Sequence, residues 1–131
     1  MNDESRALIN YRLQQAEDSI EEAKILLQAE MSPRSVMNRL YYAMFYVVLA
    51  LLQAKQMGTS KHIGAISFFD REFVKTGIFS KELSKILHQA FELRQKGDYM
   101  EQADVKKEDL EEIFPKVIDF VEQIKSYLLR S

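Results

Sequence analysis

The stretch MNRLYYAMFYVVLALL, residues 37 to 52, decides the fold of this chain. Apart from Asn38 and Arg39, every residue in it is apolar or aromatic. Its apolar part, Leu40 to Leu52, is shorter than the roughly 20 residues that span a bilayer. The stretch therefore predicts a buried core helix and no membrane association, and the guanidinium within it requires an explanation.

The composition indicates one helical domain over residues 1–131. Four Gly and two Pro in 131 residues leave few helix breakers. A net charge of −2 argues against a protein that coats nucleic acid by charge alone, although a local basic patch stays possible. The absence of cysteine excludes disulfides and thiolate metal sites and favours a cytoplasmic location. The polar first 15 residues contain no apolar signal-peptide segment.

Hydrophobic periodicity predicts an all-α, up-and-down four-helix bundle with a short additional helix. Gly77 fits a left-handed helix end, Gly97 is expected to break the fourth helix before a loop that contains Tyr99, and Pro115 predicts a kink or a restart in the fifth. The predicted segments run from about 3 to 30, 33 to 55, 60 to 77, 80 to 97 and 106 to 129, with candidate N-caps at Ser32, Thr59 or Ser60, Ser80 and Asp104.

Two stripes run along the second predicted helix, turned by roughly a right angle from each other. The first is apolar and is predicted to be core, as are five residues of the later helices. These predicted core residues are Val36, Leu40, Met44, Val47 and Leu51, with Leu83, Leu87, Phe91, Val117 and Ile124. The second stripe mixes small residues with groups that need hydrogen-bond partners, and comprises Ser35, Arg39, Tyr42, Ala43, Tyr46, Ala50 and Gln53.

Arg94, like Arg39, is a charged residue in apolar surroundings, because it lies on the apolar side of the fourth predicted helix. A buried guanidinium needs an acceptor. One interpretation is structural: both arginines pair with carboxylates such as Asp98 or Asp70 and fix the helix register, and the tyrosines are core residues with a hydrated hydroxyl. The other interpretation is a polar cleft that binds a ligand.

Three stretches in order resemble the HEPN family, the helical "higher eukaryote and prokaryote nucleotide-binding" domains. RLYYAMFYVVLALL (residues 39–52) is similar to that family's helix with an arginine followed by aromatic residues. KHIGAISFFDREFVKTG (61–77) and LRQKGDY (93–99) resemble its histidine–glycine segment and its arginine followed by aspartate–tyrosine. The resemblance implies a homodimeric helical bundle in which polar residues of the second and fourth helices meet at a cleft. It also implies a minimal nucleotidyltransferase partner in a toxin–antitoxin or defence system.

Several members of that family are metal-independent endoribonucleases that use an arginine followed, after four to six residues, by a histidine. This sequence departs from that spacing. Tyr46 lies seven residues after Arg39, and Asp98 and Tyr99 follow Arg94. A phenol, with a pKa near 10, is a poor general base at neutral pH. His62 opens the helix after Arg39 and could fold back toward the arginines, whereas His88 lies on a charged face.

The sequence therefore predicts a module that binds a nucleotide or an RNA phosphate, with an endoribonuclease of altered catalytic set and a ligand-free structural adaptor as alternatives. No cofactor is expected, and two widely separated histidines without cysteines argue against a metal. The predicted ligand-binding residues are Arg39, Tyr42, Tyr46, His62, Arg94, Asp98 and Tyr99.

Overall fold

Five α-helices make up the part of the chain that a computed structural model describes. That part comprises residues 2–57, 62–99 and 105–130, without the side chains of residues 63 and 96–99. No β-strand occurs within it, which confirms the all-α prediction. The helices are α1 (Asp3–Gln28), α2 (Pro33–Ala54), α3 (His62–Phe69), α4 (Lys81–Tyr99) and α5 (Lys107–Arg130).

The helix that contains the opening stretch, α2, packs against each of the other four, most extensively against α1. The amide of Gln53 donates to the Ser5 hydroxyl at 3.1 Å, and Arg39 lies near Glu22. Because the end of α2 meets the start of α1, these two helices are antiparallel. This confirms the up-and-down arrangement for the first helix pair.

The apolar stripe of α2 is fully buried, as predicted, and so are four of the five core residues predicted in the later helices. Phe91 is the exception, because it is only half-buried. It lies at the edge of the core, with its ring 5.9 Å from that of Tyr41. The prediction that Phe91 is a core residue was therefore wrong in degree.

By length and apolar composition alone, α2 could cross a membrane. Its most apolar 18-residue window has a mean hydropathy of 1.4, but 67% of that window is buried by the rest of the chain. A surface already covered by protein is not available to lipid tails. The packing therefore agrees with the interpretation of α2 as the core helix of the bundle.

Local capping follows the sequence where the structure describes it. The Ser32 hydroxyl accepts from the Ser35 amide at 3.2 Å, and that of Ser80 accepts from the Leu83 amide at 3.4 Å. Gly77 has a φ of +83°, the left-handed conformation predicted for it. The other proposed caps, Thr59, Ser60 and Asp104, lie outside the described residues.

Two predicted breaks are wrong, the end of the fourth helix at Gly97 and the restart of the fifth at Pro115. Helix α4 continues through Gly97 to Tyr99, because a glycine inside a helix costs only about 1 kcal/mol and does not by itself end it. Helix α5 runs as one element through Pro115, so there is no restart, and the kink given as the alternative stays a prediction. Ile113 and Val117, on either side of the proline, are fully buried and hold both halves against the core.

The chain from Asp70 to Val74 forms a single π-helical turn that continues α3. The Lys75 amide donates to the Asp70 carbonyl at 2.8 Å, five residues back. Phe73 in this turn is fully buried and contacts the rings of Phe69 and Phe79. The sequence pattern predicted an ordinary helix here.

Ile113 and Ile25 provide a matched test of the core. Ile113 is fully buried in α5, whereas Ile25 on α1 is 61% exposed. We expect Ile113→Ala to lower the free energy of unfolding by about 2–5 kcal/mol, because it leaves a cavity. We expect Ile25→Ala to change it by no more than about 0.5 kcal/mol. Urea denaturation measures both, and equal losses would contradict this packing.

Candidate functional site

The face of α2 that carries Tyr41 and Tyr42 meets the start of α3 and the second half of α4. Five side chains come together there, and we call them the arginine–tyrosine cluster. Four of them were predicted as ligand-binding residues, and the fifth, Tyr41, was not. The cluster comprises Arg39, Tyr41, Tyr42, His62 and Arg94.

The Tyr42 ring is the centre of the cluster, because two guanidinium groups contact it. The Arg39 guanidinium carbon lies 5.2 Å from the ring centroid, and that of Arg94 lies 5.3 Å from it. Arg94 also donates to the Tyr42 hydroxyl at 3.4 Å. The structure thus brings together two cations that are 55 residues apart in sequence, and a π face attracts each of them.

The acid near Arg39 is Glu22 on α1, with nitrogen and oxygen 3.8 Å apart. Arg39 also donates to the Asn38 side chain at 2.7 Å. The suggestion that Asp70 pairs with an arginine was wrong, because Asp70 bonds to residues of α4 instead. Since Arg39 is 28% and Glu22 53% exposed, water screens this ion pair and it contributes little to stability.

His62 joins the cluster because α3 begins there. Its ring stacks on Phe45, with centroids 4.2 Å apart and planes 18° apart. Its Nδ1 is 2.8 Å from the Tyr41 hydroxyl oxygen. Partial burial, and then the positive charge of Arg94, lower the pKa of His62 from its ordinary value. His62 and Arg94 contact the same two rings, Tyr41 and Tyr42, which is consistent with the prediction that His62 folds back toward the arginines.

Tyr41 is the member of the cluster that was not among the predicted site residues. It is fully buried, and this burial raises the pKa of its phenol far above the ordinary value, with a smaller opposing effect from Arg94. The phenol is therefore protonated at any physiological pH. The sequence did contain a signal for the burial of Tyr41, because this residue shares a row of helical spacing with Phe45, Val48 and Leu52. The structure buries all four.

Tyr46 lies one turn beyond Tyr42, with ring centroids 5.8 Å apart, and is half-buried at the rim of the cluster. Asp98 and Tyr99 belong to the last turn of α4, whereas a loop had been predicted for Tyr99. Their side chains lie outside the described part of the chain. Their roles as ligand-binding residues stay predictions.

A second polar group joins the π-helical turn to α4. The Asp70 carboxylate accepts from the Ser84 hydroxyl at 2.6 Å and lies 2.6 Å from Nε2 of His88. His88 was expected to be solvated, and it is half-exposed, but this carboxylate holds one of its ring nitrogens. The group therefore ties the end of the third helical segment to the fourth helix.

No three histidine, aspartate or glutamate side chains within the described ranges lie close enough to hold a metal ion.

A surface groove of about 310 Å³ lies elsewhere, and none of the cluster residues lines it. Its lining residues are Ile78, Phe79, Glu122, Gln123, Ser126, Tyr127 and Arg130. The chemistry of the arginine–tyrosine cluster is thus that of hydrogen-bond donors, positive charge and aromatic faces, which suits an anion.

Comparison with known proteins finds relatives over nearly the whole chain. A family model described as "HEPN domain" matches residues 9–127, which include all three stretches quoted above. A UPF0332 protein of Thermotoga maritima is 40% identical over 125 residues, which cover 95% of this chain and 94% of that protein. Two proteins of Methanocaldococcus jannaschii named as candidate toxins are 36% and 32% identical. Those alignments cover 89% and 98% of this chain, and 79% and 94% of the two relatives.

The lowered pKa of His62 can be measured directly in a His88→Gln variant, which leaves a single histidine. We expect NMR titration of the imidazole to give a pKa below the ordinary 6.5, because burial and Arg94 disfavour the charged form. The unfolded chain then takes up the proton first. The contribution of His62 to folding stability is therefore complete above about pH 6.5 and falls as the pH drops toward the lower, folded-state pKa. A pKa at or above 6.5 would contradict the burial described here.

Proposed function

This chain belongs to the HEPN domain family, and we propose that it is a toxin-type member that binds the phosphate of a nucleotide or an RNA. The binding site is the arginine–tyrosine cluster between α2 and α4. In this proposal the protein acts by binding, as an interaction module, and needs no metal ion or cofactor.

The observation that carries the proposal is the contact of two guanidinium groups with the one Tyr42 ring. Two cations brought to the same ring repel each other, and a phosphate bound between them would remove that cost. Guanidinium groups suit phosphate because their planar N–H donors match its oxygens. The exposed fraction of Arg39 supports this proposal, since its charge is open to a ligand from solvent.

The toxin assignment rests on the relatives. The two Methanocaldococcus jannaschii proteins are named as candidate toxins, and their alignments cover most of this chain. Membership of the HEPN family suggests a minimal nucleotidyltransferase as the partner, with which the protein would act in a toxin–antitoxin or defence system. A complex of that kind would bury polar surface near α2 and α4.

A second candidate function is a metal-independent endoribonuclease. The sequence lacks the usual spacing between arginine and histidine, but the fold places His62 and Arg94, 32 residues apart, against the same two rings, those of Tyr41 and Tyr42. A histidine beside an arginine supplies the residue types that such an enzyme needs. The position of the proton on the His62 ring decides between the two functions. Nδ1 faces Tyr41, so His62 can act as a general base toward a ligand only if Nε2 carries no proton.

Arginine-to-glutamine substitutions test the binding site. We expect Arg39→Gln and Arg94→Gln each to weaken binding of adenosine monophosphate and of a fluorescent single-stranded RNA about tenfold. The reason is that each removes a charge-assisted hydrogen bond worth about 1.5–3 kcal/mol. Fluorescence anisotropy measures the RNA and calorimetry the nucleotide.

Arg71→Gln is the matched control for these variants. Arg71 lies in the π-helical turn, is 58% exposed, pairs with the adjacent Glu72, and makes no contact with the cluster in the described structure. We expect Arg71→Gln to leave the affinities for the nucleotide and the RNA within about twofold of wild type. Equal losses of affinity in all three variants would show that the ligand responds to the overall positive charge, and would contradict a specific site. RNA cleavage in EDTA that Arg94→Gln abolishes and Arg71→Gln preserves would favour the endoribonuclease.

We also propose that the protein is a homodimer, as is usual in the family. The other helices already cover most of α2, so the apolar surface left for a second copy is the half-buried row of Tyr42, Tyr46 and Leu49. We expect sedimentation equilibrium at micromolar concentration to give twice the chain mass of 15.3 kDa. Tyr46→Glu should shift the protein toward the monomer, because it places a charge in that row. A wild-type protein that sediments as a monomer would contradict the proposal.

A further inference from the structure

The hydrogen bond between Tyr41 and His62 determines which ring nitrogen of the imidazole carries the proton. The Tyr41 hydroxyl lies 2.8 Å from Nδ1 of His62 and, among the residues that the structure describes, has no other hydrogen-bond partner. Tyr41 is fully buried, and a buried O–H group without an acceptor costs about 1–3 kcal/mol. The phenol proton therefore points at Nδ1.

A nitrogen that accepts a hydrogen bond carries no proton of its own. In a neutral imidazole the proton must then be on the other nitrogen, Nε2. The reverse arrangement, with the proton on Nδ1, would aim two hydrogens at each other or leave the phenol O–H without an acceptor. The lowered pKa of His62 supports the neutral imidazole. Burial raises the pKa of Tyr41, which supports the protonated phenol.

We infer that Tyr41 fixes His62 in the Nε2–H tautomer, so that His62 offers the ligand a neutral hydrogen-bond donor instead of a general base. Tyr41 is thus a positioning residue, because it acts through His62. Phe45 assists by stacking on the imidazole, which limits rotation of the ring. Within the described ranges Nε2 makes no hydrogen bond, and His62 is only half-buried, which leaves this N–H for a ligand.

This tautomer makes the whole cluster a set of donors. Arg39 and Arg94 present guanidinium N–H groups, and His62 adds its Nε2–H. The Tyr42 hydroxyl accepts from Arg94 and so keeps its own proton for a further acceptor. A group with acceptor oxygens on several sides, such as a phosphate, matches this set. The ligand part of the inference rests on the proposed function, but the tautomer stands by itself.

Nitrogen-15 NMR of the imidazole, in the His88→Gln background, tests the tautomer. We expect a long-range proton–nitrogen spectrum near pH 8 to show a protonated Nε2 and an unprotonated Nδ1. Tyr41→Phe keeps the ring but removes the donor, so it should shift both nitrogens toward the averaged values of mixed tautomers and raise the pKa of His62. A proton on Nδ1, or no change in Tyr41→Phe, would overturn the inference.

Two substitutions of His62 test the donor role, with inorganic phosphate as the probe. The Gln side-chain nitrogen can replace Nε2 as a donor, whereas the shorter Asn reaches only the position of Nδ1. We expect His62→Gln to keep phosphate affinity within about threefold of wild type and His62→Asn to lose about tenfold, as the loss of one hydrogen bond to a charged group implies.

The outcomes separate the two proposals. Equal affinity of wild type, His62→Gln and His62→Asn would show that His62 donates nothing to the ligand and overturn the donor role. If wild type binds neither phosphate nor nucleotide, the proposed function fails, and the nitrogen shifts still decide the tautomer. Metal-independent RNA cleavage by wild type that His62→Gln abolishes would overturn the inference, since Gln retains the donor but cannot act as a base.

Discussion

Contact with all four other helices is the constraint on α2 from which the rest of the structure follows. A helix covered in this way has few directions in which a polar side chain can reach water. Tyr41 lies entirely inside, so its hydroxyl must find a protein partner, and His62 is the partner it finds. Arg39 lies closer to the surface, between Glu22 and Tyr42. The cluster thus arises where the core meets solvent.

Much of this arrangement could be predicted from the sequence, because it depends on local periodicity. The 100° step of an α-helix places Arg39 and Tyr42 on one stripe of α2, at an angle to its apolar stripe. The same step puts Arg94 on the apolar side of α4. Each arginine needs polar or aromatic partners at the edge of the core, and the meeting of Arg39, Tyr42 and Arg94 could be predicted on that basis.

Other features could not be predicted, because they depend on contacts between distant parts of the chain. Glu22 is one of several exposed acids on α1, and nothing in its spacing marks it as the neighbour of Arg39. The bond between Tyr41 and His62 depends on where α3 begins against α2. The breaker residues Gly97 and Pro115 predicted an end of α4 and a restart of α5 that do not occur, because tertiary packing outweighs local preference.

The π-helical turn that follows α3 sets the rotational phase of His62. Phe73 in this turn is anchored in the core, and His62 lies eleven residues before it, at the start of α3. A π-helical turn contains one residue more than the α-helical turn it replaces, and each residue of a helix accounts for about 100° of rotation. Losing that residue would leave Phe73 in place but turn the imidazole away from the Tyr41 hydroxyl. The length of this segment therefore controls the chemistry of the cluster from a distance, and a single-residue deletion there would act on His62 without touching it.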